Sequence, residues 1–144
     1  MYKRQAFQQS AQRATPLQRL YAPAFQSQFK QTAGDFEGAL ASYREAVTQF
    51  AHAGQNEAAG NYLQPIIVLS LLLNQNSSVD SFVRQQKLGG EELPAIAFLE
   101  TLQGNPSASQ QTLQRYSSSH PWIAPRALEL SQIYSCLLYT SRCV

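Results

Sequence analysis

Charge is scarce in this 144-residue chain: Asp, Glu, Lys and Arg make up 14% of it, against about 25% in ordinary globular domains. Cysteine is scarcer still, with only Cys136 and Cys143, both in the last nine residues. That excludes a disulfide framework and a thiolate zinc cluster. The two histidines, His52 and His120, stand sixty-eight residues apart. His52 falls in the last turn of a helix, where the dipole favours an imidazole, and His120 precedes a proline in a turn. The glycine pair Gly89-Gly90 lacks the spacing of a phosphate loop. Glu91-Glu92 reads as a helix start, because adjacent helix positions do not face one another as an acid/base couple would. The longest apolar run, Leu63 to Leu73, is eleven residues interrupted by Gln64, Pro65 and Ser70. A membrane span needs about 20. What remains is a chain rich in Gln (nineteen), Ser (fifteen), Ala and Leu, long enough for one domain with its own core.

Both ends resemble translated sequencing adapter. Met-Tyr-Lys-Arg-Gln at residues 1–5 can be encoded as GTG TAT AAG AGA CAG, the end of a transposase recognition sequence used in library construction. Cys136 to Ser141 can be encoded as TGT CTC TTA TAC ACA TCT, its reverse complement. A second copy then supplies Arg142, Cys143, Val144 and a stop. On this reading residues 1–5 and 136–144 are adapter-derived and lie outside the fold argument. Lys3, Arg4 and Arg142 drop out, and the net charge of +2 becomes −1, eight bases against nine acids. The basic footprint of a nucleic-acid binder disappears with them. The domain expected is residues 6–135.

Its periodicity is helical throughout, with no strand of convincing period. Thr15-Pro16-Leu17-Gln18 has the form of a capping box with proline at the first helical position. The helix it opens should carry Leu20, Tyr21, Phe25 and Phe29, end at Gly34, and kink or start late at Pro23. After Gly34, a stripe of Phe36, Ala39, Leu40, Tyr43, Ala46, Val47 and Phe50 runs over four turns to Gly54. A third helix is expected from Asn56 to Leu73, bent at Pro65 and buried on nearly all sides. Val79, Phe82 and Val83 mark a short helix ending at Gly89-Gly90. Another starts at Glu91-Glu92, carries Leu93, Ile96, Ala97, Leu99 and Leu102, and stops at Gly104. Ser107 to Tyr116 forms a further helix. Ile123 to Tyr134 begins the last, which the tail extends to residue 139.

Helix pairs of similar size call for a repeat test. If Gly34-Asp35-Phe36 is the turn inside a pair, Ala39, Tyr43 and Ala46 occupy the places where a tetratricopeptide unit sets its packing residues. Taking Gly104-Asn105-Pro106 as the same turn puts Ser109, Leu113 and Tyr116 in those places, with Leu93, Ile96 and Ala97 before it. A degenerate middle turn at Asn74 fits between, flanked by Leu63 and Ile66 before and Val79 and Val83 after. Pro23, Gln26 and Lys30 depart from the pattern in the first helix, where large apolar residues are usual. The fold expected is therefore all-α: a TPR-like helical-hairpin array, an α-solenoid fragment of about three helix pairs plus a truncated helix.

Gly34 to Leu40, Ala53 to Ala59, Gly104 to Pro106, Gln114 to Tyr116 and His120-Pro121 together give a narrower resemblance. Over roughly residues 30–130 the chain resembles the C-terminal tetratricopeptide arrays of bacterial serine/threonine kinases and winged-helix signalling proteins. The resemblance implies a non-catalytic protein–protein interaction or scaffold module of a larger signalling protein. It implies a protein or peptide partner and a cytoplasmic location, and it carries over no catalytic residue. Low charge with Gln and Ser richness also suits an exported envelope protein for assembly or substrate capture, hence periplasmic. No catalytic, cofactor-binding or metal residue is assigned, and neither nucleic acid nor a membrane span is expected. Tyr116 and Trp122 read as packing residues, because few bases interleave with them. In this register the concave face is lined by Asn61, Gln64 and Val68 of the middle unit and Glu91, Phe98 and Thr101 of the third. That lining is nearly neutral, so binding should respond little to salt.

Overall fold

A computed structural model describes residues 15–120. The expected helix over residues 123–139, the cap of the last pair and Trp122 lie outside the described residues. Seven helical segments follow one another, and no strand occurs among the described residues. They are α1 (Pro16–Thr32), α2 (Phe36–His52), α3 (Asn56–Asn61), α4 (Leu63–Leu72), α5 (Asn76–Gln85), α6 (Leu93–Leu102) and α7 (Pro106–Ser119). α1 packs on α2 and α6 on α7, while α4 touches α2, α3, α5 and α6.

The capping box forms as written in the sequence: Thr15 accepts from the Gln18 amide, and the Gln18 side chain accepts from the Thr15 amide. Pro23 neither ends α1 nor delays it. Its ring is buried, together with Ala24 and Ser27. The expected apolar face is displaced, because Phe25 is 58% exposed and Phe29 73%. Small residues let α1 approach α2 closely, and the two phenylalanines, turned about a residue off that line, remain in water. Lys30 closes the same contact from its edge, donating to Ser42 Oγ at 2.8 Å. Leu20 and Tyr21 are half-buried against the core.

One turn recurs four times. After α1, the Gly34 amide donates to the Gln31 carbonyl and the Asp35 amide to that of Lys30. The same pair of bonds closes α2 at Gly54-Gln55, α4 at Asn74-Gln75 and α6 at Gly104-Asn105. This pattern satisfies helix-end carbonyls and needs a left-handed residue at the turn. Gly34 supplies it with φ 80°, and Asn74, the middle turn that looked degenerate in sequence, supplies it with φ 56°. Asn74 is the single non-glycine residue at positive φ among those described. Asparagine tolerates that region better than any branched residue. Next, Asp35 and Asn105 cap the following helices, accepting from the amides of Gly38 and Ala108.

The third helix of the sequence reading divides in two. The break falls at Tyr62 rather than at Pro65. Pro65 has no N–H for the Asn61 carbonyl and its ring crowds that turn, so the interruption appears upstream of the proline. The short helix after Asn74 also ends early, at Gln85, and an extended stretch leads on to Gly89-Gly90.

The core is in two parts. The larger runs from Ala24 to Leu99 and contains Phe50, Leu63, Ile66 and Ile67, each fully buried. Burial of a side chain of that size stabilises by about 1.5–3 kcal/mol. The smaller consists of Ala97, Leu113 and Tyr116, and Phe98 packs against both. Arg44 of α2 reaches across to α5, its guanidinium 5.4 Å from the Phe82 ring centroid and 3.3 Å from Ser78 Oγ. All the residues that the repeat pattern placed in the turn-following helices are buried: Ala39, Tyr43, Ala46, Val79, Val83, Ser109, Leu113 and Tyr116.

Two stability measurements follow. Gly34→Ala should lower unfolding free energy by about 1 kcal/mol, whereas Asn74→Gly should leave it equal or higher, both read by urea denaturation. The hydroxyl of Ser70 is buried without a hydrogen-bond partner among the described residues. Ser70→Ala should therefore stabilise the chain by about 1 kcal/mol, seen as a higher thermal midpoint.

Candidate functional site

Two turns and a helix face make a concavity among the described residues. It is a cleft of about 640 Å³ lined by Tyr21, Gly54 to Ala58, Asn61, Leu88, Gly89 and Glu91. Its first wall comes from α1 and the α2–α3 turn, its second from the connection between α5 and α6.

That second wall is held by the two acids read from the sequence as helix-start decoration, and they do different work. Glu92 reaches back, its Oε2 accepting from the amides of Leu88 at 3.1 Å and Gly90 at 3.0 Å. Leu88 is 1% exposed and anchors the connection in the main core. Glu91 faces His120, Oε1 to Nε2 at 2.9 Å. α6 itself begins after both, at Leu93.

Beneath the first wall lies an aromatic ladder. Tyr21 meets Phe50 edge-on with centroids 4.8 Å apart, and Phe50 stacks on Tyr62 at 5.6 Å and 7°. Tyr43 completes it, 5.8 Å from Tyr62. Each contact of this kind adds about 0.5–1.5 kcal/mol to the burial itself. Burial raises the Tyr62 phenol above its ordinary value of 10.0, with smaller contributions from Tyr21 and Tyr43. The ladder fixes the α1–α2–α3 corner from which the cleft opens.

The six residues expected on a concave face are dispersed. Asn61 and Glu91 line the cleft. Gln64 is half-buried, and Val68, 41% exposed, continues the row along α4 to Leu72, 64% exposed. Phe98 is half-buried and spends its ring on the two cores. Thr101 does not face outward at all. It is 5% exposed, donates to the Ala97 carbonyl at 2.9 Å, and lies 2.9 Å from Ser109 Oγ between α6 and α7. Its hydroxyl is consumed by the helix pair, which sequence spacing could not register because Ser109 sits on the partner helix. The large apolar side chain that α6 does leave open is instead Leu102, 46% exposed.

Leu72 and Leu102 escaped the sequence reading because both continue apolar runs that look like core. Gln55, Asn56 and Glu57 escaped it because nothing local marks a turn as one side of a cleft. Among the described residues no group of three His, Cys, Asp or Glu side chains could hold a metal ion. No described helix is long and apolar enough to cross a membrane. Comparison with protein families, with curated proteins and with solved structures gave no match.

The raised Tyr62 pKa has a definite sign. A phenol whose folded value is raised contributes stability below its unfolded value and loses it as pH rises through the folded one. Stability should fall above pH 10, and Tyr62→Phe should reduce that alkaline loss in denaturation curves taken at pH 9 and 11.

Proposed function

We propose that this chain is a protein–protein interaction or scaffold module that takes a peptide segment along the exposed row of α4 and α6. The observation that carries the reading is that row itself. Val68 and Leu72 on α4, with Leu102 on the adjoining α6, are large apolar groups left open to water. Asn61 and Gln64 continue it with neutral amides toward the cleft. Helices presenting apolar anchors one turn apart, flanked by uncharged polar groups, suit an amphipathic helix or an extended apolar peptide. The repeated hairpin turn and the burial of residues in the turn-following helices support a TPR-like array as the scaffold. Thr101 is not among the contacts of this reading, and Phe98 contributes at most one edge.

The resemblance to arrays behind bacterial kinase or winged-helix domains supports the first reading, a signalling module in the cytoplasm. Low charge with Gln and Ser richness favours the second reading, an exported assembly or substrate-capture protein. The coding sequence upstream separates them: a kinase or winged-helix domain supports the first, a Sec or lipoprotein signal the second.

Peptide display tests the surface directly. Peptides selected on the unaltered chain should bind Val68→Glu or Leu72→Glu at least about tenfold more weakly. Gln110→Glu, on the exposed side of α7, should bind them unchanged. Their affinity should vary little between low and high salt, because the row carries no charge. Equal binding by all three variants would remove the assignment.

A further inference from the structure

We infer that the outward face of α1 is a self-association surface, on which a second copy of this chain lays its own α1 antiparallel to form a two-fold dimer. α1 packs on α2, and the residues it buries are Pro23, Ala24 and Ser27. The other side of the helix carries the row Gln18, Ala22, Phe25, Phe29 and Thr32, at steps of three and four. Phe29 is 73% exposed and Phe25 58%, on adjacent turns. Two aromatic rings side by side make a patch rather than scattered single exposures, and such patches mark interaction sites.

The chemistry of the row selects a second copy as its occupant. It carries no charge. Arg19 and Lys30, the charged residues of α1, lie about 100° or more around the helix from its centre. Lys30 is spent on the Gly38 carbonyl and Ser42. A neutral face can be laid on itself without opposing like charges, which an isologous contact must otherwise avoid. The row is also self-complementary in size. With the two-fold axis between residues 25 and 26, Phe29 of each copy lies over Ala22 of the other, and the two Phe25 rings meet at the centre. The macrodipoles of two antiparallel helices attract in that arrangement.

Covering the row strands little. Gln18 Oε1 accepts from the Thr15 amide at 2.8 Å, and the Thr32 hydroxyl donates to the Gln28 carbonyl at 2.9 Å. α7 offers no apolar mate for a head-to-tail contact, since its exposed side chains from residue 110 onward are Gln110, Gln111, Gln114, Arg115, Ser118 and Ser119. The two rings expose about 250 Å² per copy. With flanking side chains along the helix the contact reaches about 400–500 Å² per copy, against about 800 Å² in a standard interface. The dimer therefore belongs with weak, reversible associations.

The test is sedimentation of the full chain, with a thiol reductant holding Cys136 and Cys143 reduced. The weight-average mass should rise with concentration from 16.0 kDa toward twice that value and no further. Phe29→Glu and Phe25→Ser should each weaken the dimer at least about tenfold. Val68→Glu, on the α4 row, should dimerise as the unaltered chain does. Nitrogen-edited spectra of the unaltered chain give a second reading that needs no variant. Dilution should shift the amides of Ala22, Phe25 and Phe29 and leave those of Val68 and Leu72 in place. A mass that stays at 16.0 kDa up to about 1 mM overturns the dimer and leaves the row to chain preceding α1 or to another protein. Growth past two copies overturns it in favour of a head-to-tail contact. Loss of dimerisation in Val68→Glu, or dilution shifts confined to α4 and α6, overturns it in favour of the other exposed row.

Discussion

A helix with no polar face cannot stand in water, and Leu63–Leu72 is such a helix. Four of the other six helices are arranged around it. α2, α3, α5 and α6 all pack on it, and the aromatic ladder reaches the residue before its first turn, Tyr62. Leu63, Ile66, Ile67 and Leu69 vanish completely into that enclosure. Four neighbours cannot fully wrap one cylinder, and the gap falls over Val68 and Leu72. The exposed row is thus a by-product of the same packing that stabilises the core, which is why a binding surface and the main core share one short helix.

Enclosing one helix with a single chain requires the chain to reverse direction repeatedly without stranding helix-end carbonyls in a dry interior. The recurrent turn at Gly34, Gly54, Asn74 and Gly104 does both at once. Its backbone bonds consume the terminal carbonyls and its left-handed residue redirects the chain. Polar side chains then begin the next helix where the turn leaves off, as Asp35 and Asn105 do. Regular turns of this kind give helices in packed pairs from a sequence with little charge to steer it.

Sequence patterning made the helical class, the pair boundaries at Gly34 and Gly104 and most of the buried positions legible, because these depend on local chemistry. Glycine position, proline position and three-to-four spacing are all visible within ten residues. What escaped depends on partners far along the chain. Phe25 and Phe29 look like core until Ala24 and Ser27 prove to be the closer approach to α2. Thr101 looks like a groove residue until Ser109 is seen across from it. Glu91 and Glu92 look alike in sequence, yet one grips its own connection and the other an imidazole nearly thirty residues away. The cleft was legible only through Asn61 and Glu91, since its remaining lining comes from turns that meet in space alone.

The unequal division of the core has a consequence for how the molecule opens. Only Ala97, Leu113 and Tyr116 make up the smaller cluster, and Phe98 is the side chain packed against both. The free energy that holds α7 in place is therefore a small share of the total, and the Thr101–Ser109 bond and the Glu100–Thr112 bond supply much of its polar specificity. Such an element opens as its own cooperative unit, at a lower free energy than the enclosure around α4. Detaching it would uncover part of the Phe98 side chain, which also packs against the larger cluster. α7 is thus held to the rest of the described residues chiefly through α6 alone.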